Sequence, residues 1–181
     1  PEGAWLAPGF NDIQVNGGGD TLFNDDPTPE AIGRIAAAHR RFGTTGLLPT
    51  FITDTRERMA AAVAAAGEAA RTHPGVLGIH LEGPFIAPDR PGIHDPALIR
   101  ACEPEDEAIL TSLSAGVTLV TLAPERAPPG LVERLTAAGG RVALGHSMAT
   151  YDETRAALAD GLGGFTHLFN AMPPLVSREP G

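Results

Sequence analysis

The sequence has a single cysteine, Cys102, among 181 residues. No disulfide can form within the chain, and a reducing compartment suits it. Positive charge is scarce: 13 Lys and Arg stand against 22 Asp and Glu, giving a formal charge of −9 and a pI near 5.0. That balance argues against a nucleic-acid or membrane-surface partner, and any anionic ligand must be met by donors aimed at it locally. No apolar run is long enough to span a bilayer, and the opening Pro1-Glu-Gly-Ala-Trp-Leu6 lacks the basic segment of a signal peptide. A cytoplasmic protein is expected. Linkers and low-complexity tracts are also missing, so residues 1–181 read as one domain, and 43% hydrophobic residues are enough to give it a core.

What is present is a regular alternation of strand and helix signals. Strands are expected over Phe10–Asn16, Phe42–Phe51, Val76–Glu82, Gly116–Pro124, Arg141–Ser147 and Gly164–Met172. In the first of these, Ile13 and Val15 share one face, and Asp12, Gln14 and Asn16 the other. Helices are expected from Thr28-Pro29 to about Arg41, from the capping-box spacing Asp54-Thr-Arg-Glu57 to about His73, over Glu105–Leu113 and Leu131–Ala138, and from the second capping box, Thr150-Tyr-Asp-Glu153, to near Gly161. Such alternation implies an α/β protein with a parallel sheet and helical crossovers. Gly17-Gly-Gly19 lacks the G-x-G-x-x-G spacing of a dinucleotide fold. The remaining candidate is a (β/α)8 TIM-barrel, of which six units are visible here; such barrels take about 250 residues.

Glu82, His146 and His167 each fall at or near the C-terminal end of a different strand. In a parallel barrel those ends share the face where active sites are built. Two histidines and a carboxylate make a metal site with an open position, and a metal also removes the cost of burying Glu82. Gln14 and Asn16 occupy another strand end at a spacing where many metal hydrolases place two histidines. Neutral amides are poor zinc ligands, so one metal rather than two is expected. These amides orient a water or substrate, or simply hydrogen-bond within the strand. His80, two residues before Glu82, reads as structural or supporting. His94 lies in the loop after Pro84, within reach of a ligand, and Cys102 reads as packing.

Five segments together carry a resemblance. Pro8-Gly-Phe-Asn-Asp-Ile-Gln-Val-Asn-Gly17, His80-Leu-Glu-Gly-Pro-Phe85, Gly145-His-Ser147, Thr166-His-Leu-Phe-Asn-Ala-Met172 and Arg178-Glu-Pro-Gly181 are similar to motifs of the N-acetylglucosamine-6-phosphate deacetylases, in that family's order. The family belongs to the amidohydrolase superfamily of metal-dependent barrels. The resemblance implies that Glu82, His146 and His167 bind one divalent metal, zinc or iron. It implies that His94 contacts the sugar, that Asn170 and Ala171 help hold the substrate and its phosphate, and that Arg178 reaches the phosphate bound by the partner subunit of a homodimer. The implied chemistry is deacetylation of N-acetylglucosamine 6-phosphate by a metal-activated water, with a carboxylate as proton carrier.

The family pattern also places a catalytic aspartate after an eighth strand, preceded by a further histidine, and a small β-domain built from both ends of the chain. Neither is found in residues 1–181, and Asp12, Asp152 and Asp160 sit on the wrong elements to replace that aspartate. The expectation is therefore an incomplete deacetylase chain that carries the metal ligands without the base. Two alternatives stand beside it. One is an amidohydrolase acting on a cyclic amide, which the Gln-x-Asn pair and Arg178 disfavour. The other is a non-catalytic metal or sugar-phosphate binding protein.

Overall fold

The computed structural model describes residues 5–181. Six strands form one sheet: β1 (Phe10–Val15), β2 (Thr44–Ile52), β3 (Gly78–Glu82), β4 (Val117–Leu122), β5 (Arg141–Leu144) and β6 (Gly164–Phe165). The connecting helices are α1 (Pro29–Arg40), α2 (Arg56–Thr72), α3 (Pro104–Leu110), α4 (Leu131–Ala137) and α5 (Tyr151–Ala159). A hairpin of two-residue strands, Gly17–Gly18 and Thr21–Leu22, follows β1. Every pairing in the six-stranded sheet is parallel, and the strands lie side by side in sequence order. A doubly wound sheet reverses direction at a switch point. This sheet never does, and singly wound order is that of a partial TIM barrel.

Register fixes which side chains face inward. Thr50 pairs with His80, Glu82 with both Ile52 and Thr121, and Thr121 with Ala143. Paired residues in a parallel sheet share a face, so Thr50, His80, Glu82 and Thr121 all point to the barrel interior. The alternate positions, Phe51, Leu81, Val120 and Val142, are buried in the core layer with Ile32 and Ile35 of α1, Met59 and Val63 of α2, and Leu131 and Leu135 of α4.

Several boundaries differ from expectation for local reasons. β1 carries an extra residue between Asp12 and Val15, a bulge that breaks the alternation. Ile13 and Val15 therefore do not share an environment: Val15 is buried in the core, while Ile13 is exposed beside Gln14 on the open barrel interior. Helix α2 is capped by Thr55, which accepts from the Arg58 amide, and not by Asp54, which binds the Thr55 amide and the Arg58 guanidinium. Helix α3 starts at Pro104 and stops at Leu110, short of the expected end. The largest difference is at β6, which is two residues long instead of nine. Beyond Phe165, His167, Phe169 and Ala171 all have positive φ, so the chain turns repeatedly and cannot pair as a strand.

Candidate metal centre

Glu82 is the last residue of β3 and is 3% exposed. Its carboxylate is surrounded by donors. Oε1 lies 3.2 Å from His146 Nε2 and 2.9 Å from His167 Nε2, and Oε2 accepts from Gln14 Nε2 at 3.0 Å. Burial alone would raise the Glu82 pKa, but the His146 hydrogen bond and the surrounding histidines outweigh it and hold the group at about 2. The β1 bulge has a direct consequence here, because it aims Gln14 at Glu82. His146 follows Gly145 just past β5, and His167 follows Thr166 just past β6; both have φ near 50°, so each strand end turns its histidine inward.

The ligand-type atoms of Glu82, His146 and His167 all lie within 4.8 Å of one another, compact enough to share one ion at zinc–nitrogen and zinc–oxygen distances of about 2 Å. The His146 tautomer fits as well. Its Nδ1–H donates to the Arg90 carbonyl at 2.8 Å, which leaves Nε2 as the atom presented to the cluster. Backbone carbonyls play this part in many histidine metal sites. Burial would lower the His146 pKa, yet the bonds to Glu82 and to Arg90 raise it above its ordinary value. The donor set thus fits a divalent metal, and the residues that would hold it are those three.

The cluster opens into a cavity of about 710 Å³ whose lining includes Gln14, Asn16, His94, Asn170 and Ala171. His94 is 2% exposed. Its Nδ1 accepts from the Thr53 hydroxyl at 2.7 Å and, more distantly, from the Thr53 amide at 3.4 Å. An amide can only donate, so Nδ1 is the bare nitrogen and Nε2 carries the proton. Burial holds the His94 pKa down to about 4, so the ring is neutral at physiological pH. The loop after Pro84 lies over the site, with Arg90 to His94 in the cavity wall and Ala87 donating to the His146 carbonyl at 2.8 Å.

The structure brings Gln14 into contact with Glu82 and places Asn16 only in the cavity wall. His80 lies beneath, buried between Thr50 and Thr121. Arg178 is not in the wall; it is exposed in a tight turn closed by hydrogen bonds between Val176 and Glu179. Asp12 is occupied by the Gln14 amide. Two contributors escaped the sequence reading: the Arg90 carbonyl, which is backbone and leaves no sequence signal, and Thr53, which follows β2 and could have been sought at that strand end.

No protein-family model matches the chain. Curated relatives do. A Shewanella N-acetylgalactosamine-6-phosphate deacetylase is 46% identical over 97% of this chain and 45% of its own length. N-acetylglucosamine-6-phosphate deacetylases from Haemophilus influenzae and human are 37% and 39% identical over 99% of the chain, covering 48% and 46% of theirs. The crystal structure of N-acetylglucosamine-6-phosphate deacetylase from Pasteurella multocida superposes with a TM-score of 0.90 at 37% identity, over 96% of this chain and 46% of that one. A mutant Mycobacterium smegmatis deacetylase in complex with N-acetyl-D-glucosamine-6-phosphate gives 0.87 at 40% identity, with the same coverage. The chain spans a little under half the length of these relatives. Over the part it spans, the chain is a homologue, in sequence and in fold, of the N-acetylglucosamine- and N-acetylgalactosamine-6-phosphate deacetylases.

Proposed function

We propose that this chain is the metal-binding part of an enzyme that hydrolyses the acetamide of N-acetylglucosamine 6-phosphate to glucosamine 6-phosphate and acetate, in cytoplasmic amino-sugar catabolism. The observation that carries the reading is the convergence of Glu82, His146 and His167 at three strand ends in a chain related to such deacetylases. On this reading residues 1–181 contribute six units of an eight-unit barrel, and the remaining units and a small β-domain are supplied by further sequence.

Glu82, His146 and His167 hold one divalent ion, zinc or iron. When bound, such an ion lowers the pKa of a water ligand and polarises a carbonyl oxygen. The chain's own groups do the rest of the positioning. Gln14 fixes the second oxygen of Glu82, and the Arg90 carbonyl fixes the His146 ring. His94 donates Nε2–H to a sugar oxygen, and Asn170 and Ala171 hold the sugar and its phosphate against the cavity wall. Arg178, at the tip of its turn, reaches the phosphate in the partner subunit of a homodimer; a guanidinium offers two parallel bonds to phosphate oxygens. The proton acceptor is an aspartate from the further barrel sequence.

The higher identity to the Shewanella protein favours a second substrate, the galacto epimer. Acetate release by the purified metal-loaded protein from both 6-phosphorylated epimers tests the proposal. Turnover of at least one, lost in His167→Ala, is expected. Binding without turnover by the intact protein supports a binding function instead, and neither binding nor turnover removes the assignment.

A further inference from the structure

Beneath the three ligand-type residues runs a buried chain of hydrogen bonds. Thr50 Oγ1 lies 3.3 Å from His80 Nδ1, His80 Nε2 lies 2.7 Å from Thr121 Oγ1, and Thr121 Oγ1 lies 2.7 Å from Thr166 Oγ1. Thr121 is at its centre and is 0% exposed. Each group it touches adjoins one of the metal-ligand candidates. Its hydroxyl meets His80, two residues before Glu82, and its carbonyl accepts from the Gly83 amide at 3.0 Å, one residue after. The same hydroxyl meets Thr166, immediately before His167. Its methyl packs on Gly145, immediately before His146, so closely that a Cβ at Gly145 would come within 2.5 Å of it.

Three ligands on three different strands can share one ion only if those strand ends are held at a fixed spacing, and a supporting shell left loose misplaces a site. A single side chain on β4, the strand lying between β3 and β5 that carries none of the three ligands, makes contact beside all of them. We infer that Thr121 is a positioning residue for the Glu82–His146–His167 centre. Its hydroxyl sets the spacing between β3 and β6, and its methyl sets the seat of Gly145. Partners at one remove from a metal commonly change its affinity by 10–100-fold when altered.

The inference rests on the metal reading above, and cobalt(II) serves as a spectroscopic probe for both. In Thr121→Val, which keeps the shape and loses the hydroxyl, cobalt affinity measured by chelator competition is expected to fall at least tenfold. The visible absorption bands of the bound ion should shift with it. Thr121→Ser should recover most of the affinity. Thr118→Val, three residues earlier and so on the helix-facing side of β4, should change neither. If Thr121→Val does not fold, Thr166→Ala cuts the same chain at its other end and should shift the bands in its place. Wild-type bands and affinity in Thr121→Val or Thr166→Ala, with binding abolished in Glu82→Ala, overturn the positioning role alone. All variants are made in the intact protein, and failure of the unaltered intact protein to take up cobalt overturns the metal reading along with it.

Discussion

Glu82 accepts hydrogen bonds at both of its oxygens, and the one from Gln14 reaches it because β1 bulges. If that contact holds the carboxylate in a ligating pose, Gln14→Leu should weaken metal binding by roughly 10–100-fold without emptying the site. Chelator competition would read this, and unchanged affinity would mean that Gln14 serves another purpose. If Glu82, His146 and His167 are the ligands, Glu82→Ala, His146→Ala and His167→Ala should each leave metal content near zero by elemental analysis. His94 is a different case, because it lines the cavity with its Nδ1 already engaged by Thr53. His94→Ala in the intact protein should keep its metal while losing about 10²-fold in kcat/KM, the scale of one well-placed donor. Loss of metal in that variant would move His94 into the ligand set. The ligand-type residues were legible in the sequence because strand ends in a barrel converge. The Gln14 contact was not, because a bulge changes facing without altering composition.

At the scale of elements, α2 and α3 are joined by a charge cluster that no sequence motif announced. Asp106, in the first turn of α3, has a fully buried side chain that pairs with Arg56 at 2.9 Å and Arg100 at 2.8 Å and accepts from the Glu103 amide at 3.0 Å. Arg100 also donates its amide to Pro84 and lies over the Phe85 ring, so the cluster closes the base of the loop that carries Arg90 and His94. Burial would raise the Asp106 pKa, but the two guanidiniums and the amide hold it at about 2. The sign follows from a folded pKa below the unfolded one: the stabilisation is complete above about pH 4 and is lost as pH falls towards 2, about 2 kcal/mol in all. Asp106→Asn should cost a similar amount at neutral pH and flatten the acid limb of a denaturation series; an unchanged limb would show that other carboxylates control it. Helices α1 and α5 were legible from Thr28 and Thr150, whose hydroxyls cap them as their spacing suggests. The end of β6 was not, since Thr166 to Met172 reads apolar enough for a strand and only the positive φ values reveal the turns.

At the scale of the molecule, β1 and β6 are the two edges of the six-stranded sheet, and Ile13 and Phe165 border a cavity of about 460 Å³ on the barrel interior. Unpaired edges beside apolar surface invite pairing with other chains. Residues 1–181 expressed alone should therefore associate, seen as concentration-dependent light scattering; a monodisperse monomer with a sharp melt would contradict this. The alternation of strands and helices made the α/β class legible, because a parallel crossover needs a helix. The strand order has a further consequence, for the timing of synthesis. Each strand docks beside its immediate predecessor, so the sheet grows at one edge as the chain emerges from the ribosome, with N-terminal parts able to settle first. Glu82 is translated first, His146 next and His167 last, near the growing edge. Until His167 emerges the three-residue cluster is incomplete, so the nascent sheet must stand on its apolar packing and on the Thr50–His80–Thr121 bonds before any ion could be shared among the three.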